Sequence, residues 1–326
     1  MEYRFDHCRY RLAFQSPLRT AHGLWTHREG VLLQLTDSHG SVHYGDAAPI
    51  PWFGTETVDE VEQTCQQLGR IVDDGGLDAV PDGLGCLHGA LVSARVDHAE
   101  PDNSAPRQMA SLLPAGKPAL TLIEPRAEAG FRVFKWKVGV ESAADEMGLL
   151  DDLCARLPDG AKLRLDANGA WDRRTAERWL ERCSERPIEY VEQPCYAHAS
   201  QGTAQQRKAE DLMMGLAQDY PTPLALDESL VVQGDIAHWI EAGWNGFYVL
   251  KTSLLADPKG ALKALEKVQA KVVFSSALET AIGAKAALQL AFGWSGHSYA
   301  LGFGVWPLFG DHTMNGPAAA PFLRWD

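Results

Sequence analysis

Lys135, Lys137, Asp166, Glu192, Asp227 and Lys251 recur, in that order, at or near the ends of short apolar runs. A charge inside a buried strand is costly, whereas one at a barrel strand's C-terminal end can face a pocket. Taken together, these residues converge three carboxylates and three ammonium groups from separate parts of the chain. Carboxylates so gathered repel and raise one another's pKa, while a hard divalent cation neutralises them and accepts oxygen ligands. Mg²⁺, with Mn²⁺ as a substitute, is therefore expected at Asp166, Glu192 and Asp227. No His or Cys stands at these three run ends, which argues against zinc and copper. A neighbouring divalent charge disfavours an ammonium, which makes Lys137 a candidate base; Lys135 shares its strand face, with Trp136 opposite. Lys251 arrives from a strand several positions further round. A metal with a lysine on each side of a carboxylate-bearing carbon can abstract an α-proton and stabilise the enediolate.

The elements that must position these groups alternate along the chain. Apolar runs at 120–123, 133–138, 162–167, 188–192, 224–227, 247–251, 272–276 and 298–302 are separated by amphipathic stretches at 143–156, 175–184, 205–218, 236–242, 258–268 and 281–292. Repeated β-then-α order predicts a parallel α/β sheet, and eight runs fit a (β/α) barrel. Residues 124–130, after the first run, are too few for a full helix. The N-terminal part has a different grammar: a meander over 3–5, 31–35 and 42–44 with a turn at 37–40, then a helix from the N-cap Thr57 to about residue 71, a break at 73–85, and a second helix over 86–100. This predicts an α+β capping domain at 1–103, a catalytic barrel at 104–303, and a segment at 304–326 that returns to the cap.

A hydrophobic fraction of 45% with 22% charged residues suits a soluble globular protein, and no apolar run reaches membrane-span length. The net charge of −13 repels phosphate backbones, so nucleic acid is excluded as a partner. Arg4, Asp6, Arg9 and Arg11 interrupt any signal-type apolar stretch, which makes the cytoplasm the expected compartment. The six cysteines lack C-x-x-C spacing and are expected to be reduced and mostly buried. The expected partner is a small-molecule carboxylate, with subunit number left open.

Phe134-Lys135-Trp136-Lys137-Val138-Gly139, Leu163-Arg164-Leu165-Asp166-Ala167-Asn168-Gly169-Ala170-Trp171, Tyr190-Val191-Glu192-Gln193-Pro194, Leu226-Asp227-Glu228-Ser229-Leu230 and Leu250-Lys251 occur in the order of a known family. Over nearly its whole length the chain resembles the enolase superfamily, muconate-lactonising subgroup. Within that subgroup, Ser275-Ser276-Ala277-Leu278-Glu279-Thr280-Ala281-Ile282-Gly283 is similar to the substrate-carboxylate loop of o-succinylbenzoate synthases, and Arg164 supports that choice. The resemblance implies a modified TIM barrel, enolase-like, with an N-terminal α+β cap. It implies Mg²⁺ on Asp166, Glu192 and Asp227, Lys137 as base and then acid, Lys251 as the cation that stabilises an enediolate, and substrate contacts from Arg164, Ser275, Ser276 and Gly283. The implied activity is a lyase reaction, the dehydration of 2-succinyl-6-hydroxy-2,4-cyclohexadiene-1-carboxylate to o-succinylbenzoate for menaquinone or phylloquinone synthesis. Cap loops at 16–30 and 49–55 would close over the succinyl tail. The interval between Glu192 and Asp227 exceeds the family pattern, and its extra residues, within 198–216, are expected to enlarge a loop or lengthen a helix.

Plainer readings stand beside these. One Asp or Lys at a strand end is more often a solvated terminus than a catalyst, and only the joint pattern reverses this. Asn168 and Glu228 are placed as supporting partners of the metal group, although a turn explains Asn168 and solvent exposure explains Glu228 about as well. Arg164 shares strand parity with Asp166 and so faces the pocket. Ser275 and Ser276 can equally cap the following helix. His22 and His27 are expected to be uninvolved. Two rival functions remain: an N-succinylamino acid racemase or dipeptide epimerase using the same lysines, and a non-catalytic metal-binding barrel. The Asp-x-Asp of dipeptide epimerases is missing from Ser298-Tyr299-Ala300-Leu301-Gly302-Phe303-Gly304, and intact lysines and carboxylates weigh against a relic site.

Overall fold

Period-two alternation builds the N-terminal sheet. The structure, a computed structural model, describes residues 1–20, 23–95, 105–232 and 234–325. Strands β1 (Glu2–Thr20), β2 (Gly23–Thr36) and β3 (Val42–Ala47) are antiparallel neighbours. Tyr3, Phe5, Val31, Leu33 and Leu35 bury one face. Helix α1 (Val58–Leu68) opens in a capping box, the Thr57 side chain meeting the Glu60 N–H and the Glu60 carboxylate meeting the Thr57 N–H. It ends before residue 71: Gly69, at φ 73°, turns the chain, and β4 (Ile71–Asp73) becomes a fourth strand on residues 2–4. Helices α2 (Asp74–Asp78) and α3 (Gly85–Arg95) follow. Val61, Cys65, Leu87 and Leu91 from the helices fill the cap core. His22, the end of the helix expected to reach residue 100, and the junction after residue 103 lie outside the described residues.

The rest of the chain runs β5 (Arg107–Gln108), β6 (Ser111–Leu113), α4 (Pro118–Glu128), β7 (Val133–Lys137), α5 (Ala143–Arg156), β8 (Lys162–Asp166), α6 (Arg173–Cys183), β9 (Ile188–Glu192), α7 (Thr203–Asp219), β10 (Leu224–Leu226), α8 (Asp235–Glu241), β11 (Phe247–Leu250), α9 (Pro258–Lys267), β12 (Lys271–Phe274), α10 (Ala281–Phe292) and β13 (Phe322–Leu323). Strands β6 to β12 form one parallel sheet in sequential order. Residues 298–302 are not a regular strand. They close the barrel through two parallel bridges, Met109 to Leu301 and Ser275 to Gly302, with Ala110 N donating to Leu301 O at 2.9 Å and Gly302 N to Phe274 O at 2.8 Å. The fold is an α/β barrel of the TIM type with an N-terminal capping domain.

One expected strand is a helix. Residues 120–123 lie inside α4, where Pro118 presets the first turn and Ala119 and Ile123, four apart, are the buried pair. The first barrel strand is β6, within what reads from sequence as a connection. Half of the long interval between Glu192 and Asp227 is helix: α7 has 17 residues.

Cap and barrel are stapled through the C-terminal segment. Pairing of β1 with β2 shifts between Ala13 and Leu18, and the released residues turn to the C-terminal chain: Phe14 bridges Phe309 and Gln15 N donates to Leu308 O at 2.7 Å. Strand β13 pairs with β5. Four cysteines, Cys65, Cys86, Cys183 and Cys195, are buried, Cys154 is half-buried, Cys8 is exposed, and all six are free. Among the described residues no helix is long and apolar enough to cross a membrane.

Candidate active site

Parallel register brings the charged strand ends together. Lys137, Asp166 and Glu192 are aligned neighbours across β7, β8 and β9. Asp227 follows β10 directly and Lys251 follows β11. Trp136, between the two β7 lysines, points away from the pocket and packs on Trp179 of α6, ring centroids 6.3 Å apart. Period-two geometry thus turns both lysines of β7 to the barrel interior.

The ammonium groups are distributed unequally. Lys135 Nζ bridges Asp166 Oδ2 at 2.9 Å and Glu192 Oε1 at 2.7 Å, while Lys251 Nζ pairs with Asp227 Oδ1. Lys137 has no ion pair or hydrogen bond among the described residues. Burial works to lower the Lys135 ammonium, but the charges of Asp166, Glu192 and Asp227 outweigh it and hold the group well above its ordinary value. Lys251 is held up in the same way, against burial, by Asp227, Glu192 and Glu228. Burial also opposes ionisation of Asp166, yet Lys135 and Lys137 keep that carboxyl below its usual range. Glu192 is pushed well above the carboxylate range by burial and by the Asp166 charge.

Asn168 and Glu228 support this group. Asn168, in the left-handed region at φ 46°, donates its Nδ2 to Glu228 Oε1 at 3.0 Å. Burial, with the charges of Asp227 and Asp166, raises Glu228 to about 7. Gln193, which sequence reasoning passed over, is fully buried at φ 36°. Its Oε1 accepts from Asp227 N at 2.9 Å, and its Nε2 donates to Ser229 Oγ at 2.9 Å, so it fixes the turn that carries Asp227. The only sequence signal for it is its place between Glu192 and Pro194.

Four carboxylates, Asp166, Glu192, Asp227 and Glu228, thus face three ammonium groups. Asp166 Oδ1, Glu192 Oε2 and Glu228 Oε2 are buried without a hydrogen-bond partner among the described residues. Among the described residues no three acidic, His or Cys side chains stand ready to coordinate a metal; Lys135 bridges Asp166 and Glu192, and Lys251 pairs with Asp227. The oxygen-only donor set, its three orphaned oxygens and its excess of carboxyl over ammonium groups nevertheless suit a hard divalent cation.

The expected substrate contacts separate into two groups. Arg164 does face the barrel interior, but one layer below Asp166, where its Nε pairs with Glu189 Oε2 at 2.5 Å and its Nη1 donates to Ala300 O at 2.8 Å. Its guanidinium also lies 5.0 Å from the Tyr190 ring centroid. Arg164 is thus held in the barrel floor by Glu189 and Ala300, with its Nη2 buried and without a hydrogen-bond partner among the described residues. Ser275 and Ser276 sit in the loop after β12 and do not cap α10, whose N-cap is Thr280. Ser276 Oγ donates to Glu279 Oε2 at 3.1 Å and accepts from Leu278 N at 2.9 Å. Gly283 lies in the first turn of α10, where a Cβ would come within 2.9 Å of the cap residue Asp46. From the loop at 49–55, Phe53 places its ring centroid 5.1 Å from Lys251 Nζ, so the cap reaches the charged cluster.

Residues 120–320 match the enolase C-terminal domain-like family. The chain is 39% identical over 302 residues to an o-succinylbenzoate synthase of Thermosynechococcus vestitus, covering 91% of this chain and 90% of the relative. The crystal structure of o-succinylbenzoate synthase from Thermosynechococcus elongatus, complexed with Mg in its active site, superposes with a TM-score of 0.81 at 36% identity, covering 98% of this chain and 96% of that one. The L-Ala-D/L-Glu epimerase of Bacillus subtilis shares the fold, with a TM-score of 0.83 at 17% identity over 99% of this chain and 96% of that one.

Proposed function

This chain belongs to the enolase superfamily, and from that premise we infer that it is an o-succinylbenzoate synthase, a Mg²⁺-dependent lyase that dehydrates 2-succinyl-6-hydroxy-2,4-cyclohexadiene-1-carboxylate. The observation that carries this reading is the unequal pairing of the lysines: Lys251 is locked to Asp227 as a cation, while Lys137 has no ion pair or hydrogen bond among the described residues. Asp166, Glu192 and Asp227 would hold the metal. Bound there, Mg²⁺ supplies Lewis-acid neutralisation of charge developing on the substrate carboxylate.

Lys137 as a neutral amine takes the α-proton, then returns it as an ammonium to the departing hydroxyl, so that water leaves and the ring becomes aromatic. Proton and hydroxyl leave one face, a syn elimination that a single residue can serve. Lys251 stays charged over the other face and stabilises the enediolate. Lys135 neutralises Asp166 and Glu192, and Ser275 and Ser276 take the succinyl carboxylate. The units are a cap at 1–103, a barrel at 104–303 and a returning segment at 304–326, acting in the cytoplasm in menaquinone or phylloquinone synthesis. Mn²⁺ substitutes for Mg²⁺.

An assay of o-succinylbenzoate formation, with Mg²⁺ and with excess chelator, tests the reading: metal-dependent product is expected, and no product from the metal-loaded enzyme would overturn it. Racemisation of N-succinylamino acids is the second reading, because Lys137 and Lys251 come from separated strands. Faster turnover of those substrates would favour it.

A further inference from the structure

Two charged residues of the cap are buried against the barrel loop after β12, and the chemistry above uses neither. Asp46, near the end of β3, is 4% exposed. Its Oδ2 accepts from Thr280 N at 2.9 Å and Thr280 Oγ1 at 2.7 Å, across 234 residues of sequence, and its Oδ1 accepts from Tyr10 OH at 2.9 Å. Arg28 of β2 is 1% exposed. Its Nε donates to Leu278 O at 3.1 Å, its Nη1 to Pro49 O at 2.7 Å and its Nη2 to Ala48 O. Leu278 sits at φ 61°, a backbone state that a branched side chain holds only when its surroundings fix it. The Arg28 bond to its carbonyl is such a constraint.

The anchors fall on the loop rather than on the barrel core. Thr280 and Leu278 flank Glu279, whose carboxylate accepts from Ala277 N at 2.5 Å and from Ser276 Oγ. Gly283 leaves the room that Asp46 occupies, since a Cβ would stand 2.9 Å from Asp46 Oδ2. A charged acceptor strengthens these bonds beyond neutral ones, and a binding group displaced by about 1 Å loses much of its effect.

We propose that Asp46 and Arg28 are positioning residues for substrate specificity: from the cap they fix the 275–283 loop in the geometry with which Ser275 and Ser276 receive the succinyl carboxylate. This rests on the o-succinylbenzoate synthase reading. The test compares Asp46→Asn and Thr280→Val with the parent enzyme in steady-state kinetics, with o-succinylbenzoate and benzoate as competitive inhibitors; benzoate lacks the succinyl tail. Loss of one charge-assisted bond is expected to raise KM and the o-succinylbenzoate inhibition constant about tenfold, with kcat within about threefold and the benzoate constant unchanged. A fall in melting temperature with KM unchanged, a fall in kcat alone, or equal weakening of both inhibitors would overturn the proposal. If Asp46→Asn does not fold, Thr280→Val, which keeps the backbone bond, decides. A parent enzyme that forms no o-succinylbenzoate removes the functional reading and this proposal with it; an active parent with unaltered variants removes the proposal alone.

Discussion

Lys137 stands opposite Asp166 in the register of β7 and β8, yet the ammonium that pairs with that carboxylate belongs to Lys135. Neighbouring lysines on one strand face are therefore placed differently: Lys135 is tied into the carboxylate group, and Lys137 faces the pocket with no ion pair or hydrogen bond among the described residues.

Lys137→Ala should lower dehydration by about 10²-fold or more while leaving the melting temperature close to the parent's, because acid–base loss removes no ion pair. Lys251→Ala should lower it comparably and also destabilise the metal-free protein, since Asp227 is left buried without its partner. Rates and thermal melts of both variants check this. Equal destabilisation by the two would contradict the assigned roles.

Chelation should abolish activity, and Mg²⁺ should restore it. The metal-free protein should also melt at a lower temperature than the loaded one, because a cation bound only by the folded state stabilises it by mass action. Thermal shift across a Mg²⁺ titration gives a readout independent of turnover.

Glu279 is fully buried and raised to about 7, chiefly by that burial. Between the ordinary carboxylate range and about 7 the folded state keeps a proton that the unfolded state releases. The protonated group's contribution to stability is therefore lost as pH rises through that window. Glu279→Gln should show a smaller fall in melting temperature between pH 5 and pH 8 than the parent. An identical fall in both would show that Glu279 does not titrate there.

Gly89 of α3 faces the barrel so closely that a Cβ would lie 2.4 Å from Leu255 O. Backbone cannot yield as a flexible side chain would, so Gly89→Ala should cost about 1–3 kcal/mol by overpacking. Denaturant unfolding measures the loss.

The charged cluster was legible because a charge at the end of an apolar run is conspicuous in sequence. Lys135, Lys137, Asp166, Glu192, Asp227 and Lys251 all lie together in one barrel mouth. The first and last barrel positions were not legible. Strand β6 spans only Ser111–Leu113, too short to show a pattern, while residues 120–123 imitate a strand until Pro118 and the four-residue spacing of Ala119 and Ile123 are weighed. Arg164 was placed on the correct face, but its pairing with Glu189 was not legible, because parity fixes the side of a strand and not what lies beneath it. Asp46 and Arg28 carried no local sign at all: a charge in an alternating strand reads as solvent-facing, and only docking of the cap on the loop buries these two.

The interlock of β1 with the C-terminal chain bears on how the molecule is made. Phe14 stacks on Phe309 with ring centroids 5.8 Å apart, and Gln15 Nε2 donates to Phe309 O across 294 residues of sequence. At ordinary ribosomal speed that separation means about 15–60 s between the emergence of one partner and the other. Throughout that time the bulged stretch of β1 has one face of its apolar ring covered only by Trp25 of the cap and its backbone unmatched, beside a cap sheet whose other strands can already pair. The nascent chain must therefore leave this seam open until Phe309 has been made, and there a chaperone or an aggregating neighbour would find the growing protein accessible.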